Sequence, residues 1–351
     1  MQIFHNTAHR LHQGRQEMYR GRLVPCHEVP DRLEHVLAEL NRRAIGPLTA
    51  PPEPADLDAV LARIHSPRYL HFVAHAWGEW VAIDPAHAEL DALPSVWPGR
   101  AFRTDVLPHN FAARMGLFSF DAGTPLTAGS WAAARGGAAC AVTAARQIAA
   151  ATGPQPASAF VLTRPPGHHA GPDFFGGYCF LNNAALAAQT LRDAGLQRVA
   201  VLDIDYHHGN GTQSIFYERA DVLTVSIHGD PLTEYPFFLG HADERGAGAG
   251  QGFNLNLPLP RGTGFGAWRA ALQLAITAVR SFGAQALVVA LGVDTFEGDP
   301  ISGFGLKSAD YLQVGRDIAA LGLPSVIVFE GGYAVAEVGV NVVNVLEGLR
   351  G

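Results

Sequence analysis

From residue 157 onward the chain repeats one pattern that few folds accommodate. Short, nearly all-apolar runs alternate with segments of helical period. The runs are SAFVLT (158–163), RVAVLDI (198–204), VLTVSI (222–227), ALVVALG (286–292) and SVIVFEG (325–331). NNAALAAQTLRDAG and FGAWRAALQLAITAVRSFG lie among them. A strand that is apolar on both sides must be covered on both sides, and a helix between two such strands makes a parallel crossover. The expected fold class is therefore α/β, a mostly parallel sheet flanked by helices on both faces. No fixed-period repeat and no linker divides the sequence, so residues 1–351 are expected to form a single domain.

The first 130 or so residues read instead as helices and long loops. Leu33, Val36, Leu37 and Leu40 make a helical stripe over 30–43, with Pro30 at its start. Residues 56–80 predict two short helices broken at Ser66-Pro67. Residues 84–116 hold several prolines and little periodicity, the mark of a long insertion with a role at an interface or an entrance. An Ala-rich helix is expected over 130–152, and GAGAGQG (246–252) as a flexible connection without phosphate-loop spacing.

In an open α/β sheet, ligands sit beyond the carboxyl ends of the strands. What each apolar run delivers there is therefore informative. The first leads into His168 and His169, the second into Asp203, Asp205, His207 and His208. The third leads into Ser226 and His228, the fourth into Asp294, and the fifth into Gly331, Gly332 and Tyr333. Asp203, Asp205 and His207 are spaced two apart and share one side of an extended segment. With Asp294, Asp205 and His207 make a three-donor cation site that leaves a position open for water or substrate. Mixed nitrogen and oxygen donors suit Zn2+, with Fe2+, Mn2+ or Co2+ as alternatives. The bland reading is that these acids cap helices or pair with arginines.

If those residues hold a metal, the His168-His169 doublet is free for proton transfer. One imidazole takes a proton from the attacking water and its neighbour stabilises charge, with Asp203 as a partner for an imidazolium. Tyr333, after two glycines, is placed to donate to a developing oxyanion. Together these groups describe hydrolysis of an amide-like carbonyl.

The motifs RPPGHHA, GGYCFLNNAA, LDIDYHHGNGTQ, TVSIHGD, LGVDTFEGDP and EGGY follow in that order. In this they resemble the histone deacetylase superfamily, with its arginase/deacetylase-like fold. Within it the chain is most similar to bacterial acetylpolyamine amidohydrolases, on GRLVPCHEVPDR, FFLGHADERG and EGGYAVAEVGVNVVNVLEGL. The resemblance implies Asp205, His207 and Asp294 as zinc ligands, His168 and His169 as acid/base and electrostatic pair, and Tyr333 as carbonyl polariser. It implies a structural K+ held by Asp203, Ser226 and the carbonyls near Ile227. Asn210 stands where some relatives carry Asp behind the second histidine, which leaves open which histidine is protonated at rest.

The substrate implied is a small cationic acetylated amine, a polyamine such as acetylated putrescine or spermidine. Tyr178, Phe180, Tyr235 and Phe238 are the expected wall aromatics, and Asp121 and Glu17 the acids for the amine end. The 84–116 insertion is expected to build a homodimer and narrow the entrance, with Trp97 and Phe102 as anchors. Three rivals stand beside this: a broader lysine deacetylase acting on peptides or proteins, an arginase-type ureohydrolase, and a non-catalytic metal-dependent binding module. The second needs an acid two residues beyond Asp294, where Phe296 stands.

Net charge is −7 with neutral histidines, which argues against a nucleic-acid partner. Three cysteines without CxxC spacing, a polar N-terminus and no long apolar run suggest a cytoplasmic protein with no membrane contact.

Overall fold

The computed structural model describes residues 1–153 and 155–351. Its strands are β1 (Gln2–His5), β2 (Gln16–Tyr19), β3 (Arg22–Pro25), β4 (Leu48–Thr49), β5 (Ser158–Leu162), β6 (Val199–Asp203), β7 (Val222–Gly229), β8 (Asn254–Leu259), β9 (Ala286–Leu291) and β10 (Ser325–Phe329). Eight of them form one sheet in the order β4-β1-β5-β10-β9-β6-β7-β8, and each neighbouring pair is parallel. β2 and β3 form a separate antiparallel hairpin.

The helices are α1 (Asp31–Arg42), α2 (Leu57–Leu61), α3 (Pro67–Ile83), α4 (Phe111–Leu117), α5 (Ser130–Ala149), α6 (Asn183–Asp193), α7 (Asn210–Phe216), α8 (Phe265–Phe282), α9 (Asp310–Ala319) and α10 (Val335–Arg350). Strand side chains alternate between two cores, as the period of two requires. Val161, Val201, Val288 and Val328 pack with α2, α3, α5 and α6. Phe160, Leu202, Leu287 and Ile327 pack with α1, α8, α9 and α10. The chain is thus a single α/β domain with helices on both faces. No helix among the described residues is long and apolar enough to cross a membrane.

Several expectations for the N-terminal part need correction. It contributes four strands, and β1 sits inside the main sheet between β4 and β5. Four residues, QIFH, are too few for periodicity to reveal, yet Ile3 and Phe4 are buried on opposite faces. The second helix of 56–80 is long rather than short. Ser66 Oγ caps it by accepting from Tyr69 N at 3.2 Å, and Pro67 occupies its first position. The insertion holds a short 3-10 turn and α4, and it is tied down. Ala92 pairs with Leu126, and Trp97 Nε1 donates to Ser119 Oγ at 3.1 Å. Trp97 therefore anchors on its own chain, whereas Phe102 is 70% exposed. GAGAGQG closes as a 3-10 turn leading into β8, an edge strand whose alternating Asn and Leu conceal it in sequence.

Candidate active site

The turns leaving β5, β6, β9 and β10 converge at the carboxyl edge of the sheet. Asp205 and His207 follow β6, and Asp294 follows β9. Each offers one ligand atom, and the three atoms lie within 4.8 Å of one another. His207 Nδ1 is 2.9 Å from Asp294 Oδ2 and 3.4 Å from Asp205 Oδ1. Main-chain N–H groups fix the carboxylates: Tyr206 N donates to Asp294 Oδ1 at 2.8 Å, and Gly331 N to Asp205 Oδ2 at 2.8 Å. A Cβ at Gly331 would lie 2.4 Å from Asp205 Oδ2, so only glycine lets this turn approach.

Burial and the charge of Asp205 push Asp294 up to about 8. Burial would raise Asp205 too, but His168 and His207 outweigh it and hold it well below the ordinary carboxylate range. The pair thus shares a proton, as two acids crowded in a dry interior must. A divalent cation among the three donors relieves that repulsion, and two oxygens with one nitrogen match its preferences. The residues present fit a metal.

His168 and His169 sit in the turn after β5, their ring centroids 4.0 Å apart. Their partners differ. His168 Nδ1 lies 2.9 Å from Asp203 Oδ2, and His169 Nδ1 lies 2.6 Å from Asn210 Oδ1. Burial would lower His168, but Asp203 and Asp205 override it and hold it up at about 10. His169 has no such acid; burial, then the charges of His168 and His207, push it well below 6.5. One Asp-to-Asn difference thus separates a charged imidazole from a neutral one.

His169, His207 and Tyr333 line one cleft of about 700 Å³. Phe120 and Tyr235 stack on one side, ring centroids 5.8 Å apart, and Tyr235 meets His169 edge-on at 5.2 Å. Tyr178 lies edge-on to Tyr333 at 5.5 Å on the other. Burial keeps the Tyr333 phenol well above 10, so it remains a proton donor.

The expected wall and mouth residues fare unequally. Phe180 is buried in the core, stacked on Phe175 at 5.4 Å, and is no wall residue. Phe238 lines the rim but is 82% exposed. Glu17 is no open acid: it is 1% exposed, with Oε1 2.6 Å from His27 Nδ1 and accepting from Tyr178 OH at 2.9 Å. Asp121 accepts from Tyr235 OH and Gly177 N, each at 2.6 Å, and so braces the walls. Ser226 pairs with Asp203 in the β6–β7 register, and its Oγ lies 2.8 Å from His228 Nδ1.

Sequence reasoning missed three side chains that hold the Tyr333 turn. Asp299 Oδ2 accepts from Tyr333 N at 2.7 Å. Glu330 Oε2 accepts from Gly167 N at 2.6 Å and His168 N at 3.1 Å. Arg32 reaches from α1 to the carbonyls of Glu330 and Gly332. The two acids lie within the quoted motifs and were findable there; Arg32, some 300 residues away, has no local signal.

The model of the histone deacetylase domain matches residues 26–349. The chain belongs to the histone deacetylase family. It is a metal-family deacetylase, a hydrolase, and its likeness to relatives runs end to end. It is 49% identical to acetylpolyamine amidohydrolase 2 of Pseudomonas aeruginosa, over 100% of this chain and 99% of that one. It is 46% identical to acetylpolyamine amidohydrolase of Mycoplana ramosa, over 100% of both chains. The crystal structure of acetylpolyamine aminohydrolase from Burkholderia pseudomallei superposes on this deacetylase with TM-score 0.91 and 37% identity, covering 99% and 98% of the two chains.

Proposed function

We propose that the enzyme removes acetyl groups from small cationic amines, acetylated polyamines foremost. The observation that carries this is the cleft: His169, His207 and Tyr333 share its floor, aromatics form its walls, and the chain matches acetylpolyamine amidohydrolases over its whole length.

Asp205, His207 and Asp294 would hold the divalent cation, with Zn2+ favoured over Fe2+, Mn2+ or Co2+ by the mixed donors. When bound, such a cation supplies Lewis acidity, lowering the pKa of water and polarising the acyl carbonyl. The chain's own groups do the rest. His169 donates its Nδ1–H to Asn210 and takes the proton of the attacking water at Nε2. His168, charged against Asp203, stabilises the negative charge that develops. Tyr333 donates its hydroxyl to the carbonyl oxygen. The proton taken up by the doublet passes to the leaving nitrogen as the C–N bond breaks, giving acetate and the free amine.

Tyr178 and Tyr235 would flank the methylene chain. Asp121, already accepting from two donors, would meet the amine end more weakly than a free carboxylate, and Glu17 would act through Tyr178. A structural K+ would lie with Asp203, Ser226 and the Ile227 carbonyl, a reading supported by the side-by-side register of β6 and β7. The exposed apolar side chains of the insertion, Phe102 at 70% and Val96 at 57%, suit a homodimer contact beside the entrance. The alternative is a broader lysine deacetylase. Steady-state turnover of acetylputrescine against an acetyl-lysine peptide separates them; equal efficiency on both would sink the polyamine reading.

A further inference from the structure

A second donor cluster lies behind the histidine doublet, on the side away from Asp203. We infer that His168, Cys179 and Glu330 form a second, inhibitory site for a thiophilic divalent cation such as Zn2+. One ligand atom from each lies within 4.8 Å of the other two, and all three side chains are buried. They come from three separate parts of the fold: the turn after β5, the loop before α6 and the end of β10.

Each donor is left available by the bonds around it. Glu330 is clamped through Oε2 by the N–H groups of Gly167 and His168, while its buried Oε1 has no hydrogen-bond partner. A carboxylate oxygen left bare in a dry interior calls for an occupant. The Cys179 thiol makes one contact, to Gly177 O at 3.2 Å, which a weak S–H donor gives up readily. Asp203 engages His168 at Nδ1 and leaves Nε2 as the ligand atom, the carboxylate–histidine arrangement that supports metal binding.

The donor chemistry differs from that of the neighbouring triad. Sulfur, nitrogen and one oxygen select zinc-like ions over magnesium, calcium or manganese. A thiolate and a carboxylate balance the charge of a dication, and binding releases the thiol proton. The consequence for turnover rests on the role given above to the doublet. A cation on Nε2 immobilises His168 and adds positive charge beside His169, where a proton must be accepted. The first equivalent of metal therefore activates and a second inhibits.

The experiment uses full-length protein carrying one equivalent of Co2+, titrated with more Co2+. Sulfur-to-cobalt charge transfer absorbs in the near ultraviolet, and the triad of Asp205, His207 and Asp294 contains no sulfur to produce it. The expected result is a band that grows with the second equivalent while turnover falls about 10-fold or more. Cys179→Ser should lose the band and the inhibition together and keep the turnover of the singly loaded enzyme. Cys26 and Cys140 remain in that variant, so a band surviving Cys179→Ser overturns the site, as does no band in the parent protein. Should the serine variant fold poorly, Glu330→Gln keeps an acceptor for Gly167 and His168 and should weaken the second equivalent about 10-fold. A band that fills with turnover intact keeps the site and sinks the role given to His168.

Discussion

Arg32 lies over the face of Tyr333, its guanidinium carbon 4.6 Å from the ring centroid. The same side chain donates from Nε to Gly332 O at 2.7 Å and from Nη2 to Glu330 O at 2.6 Å. A residue of the first helix thus holds both the ring and the backbone of the turn that presents the oxyanion donor. Gly332 adopts φ +130°, where a side chain would be strained, so this turn needs outside support. Replacing Arg32 with Met should lower kcat about 10-fold with a smaller effect on KM, because the loss falls on the transition state. It should also lower stability, since Glu28 loses a buried partner. A parent-like kcat in a folded variant would refute the arrangement.

Tyr333→Phe removes the hydroxyl and keeps the ring against Arg32 and Tyr178. Turnover should fall on the order of 10²-fold with binding of the amine little changed. His169→Ala should cost a comparable factor through loss of the proton acceptor. Initial rates on an acetylated diamine, with circular dichroism as a folding control, provide the check; parent-like rates in both variants would rule out the mechanism.

Asp205→Ala removes one of three donors and leaves Gly331 N without its acceptor. Metal content by elemental analysis should drop from about one ion per chain to near none, with activity lost in parallel. Full occupancy in the variant would refute the donor set.

The insertion offers a separate test. Removing residues 93–103 deletes Trp97 and Phe102 and cuts the Trp97–Ser119 tie. The mass in solution should fall toward the monomer, and bulkier acetylated substrates should gain relative to acetylputrescine. Sedimentation and paired kcat/KM values would show it, and an unchanged dimer with unchanged selectivity would exclude this role.

Acid stability has a nameable source in Glu28. Burial alone would raise its pKa, but Arg164 and Arg32 outweigh it and hold the carboxyl down at about 2, against an ordinary 4.5. The folded value lies below the unfolded one. The contribution is therefore full above pH 4.5 and drains as pH falls from there toward 2, about 3 kcal/mol in all. Glu28→Gln should be less stable at neutral pH and should show a flatter dependence of its urea midpoint between about pH 5 and 3. A slope as steep as the parent's would place the acid sensitivity elsewhere.

The sequence alone determined the parallel core. Five apolar runs announced buried strands, and the polar residues after them marked the edge where a site belongs. The quoted motifs sufficed for family and reaction class. Local pattern ended where contacts were long-range. β1 is too short to show a period, and Phe180, an aromatic beside Tyr178, turns to the core while its neighbour faces the cleft. Glu17 reads as a free acid until the fold brings His27 and Tyr178 against it. Tertiary structure also decided which imidazole carries charge, since that depends on the pairing of Asp203 with His168 and Asn210 with His169. Strand and helix periods are carried by neighbours in the chain, whereas electrostatics and hydrogen bonding depend on distances in space that folding alone sets.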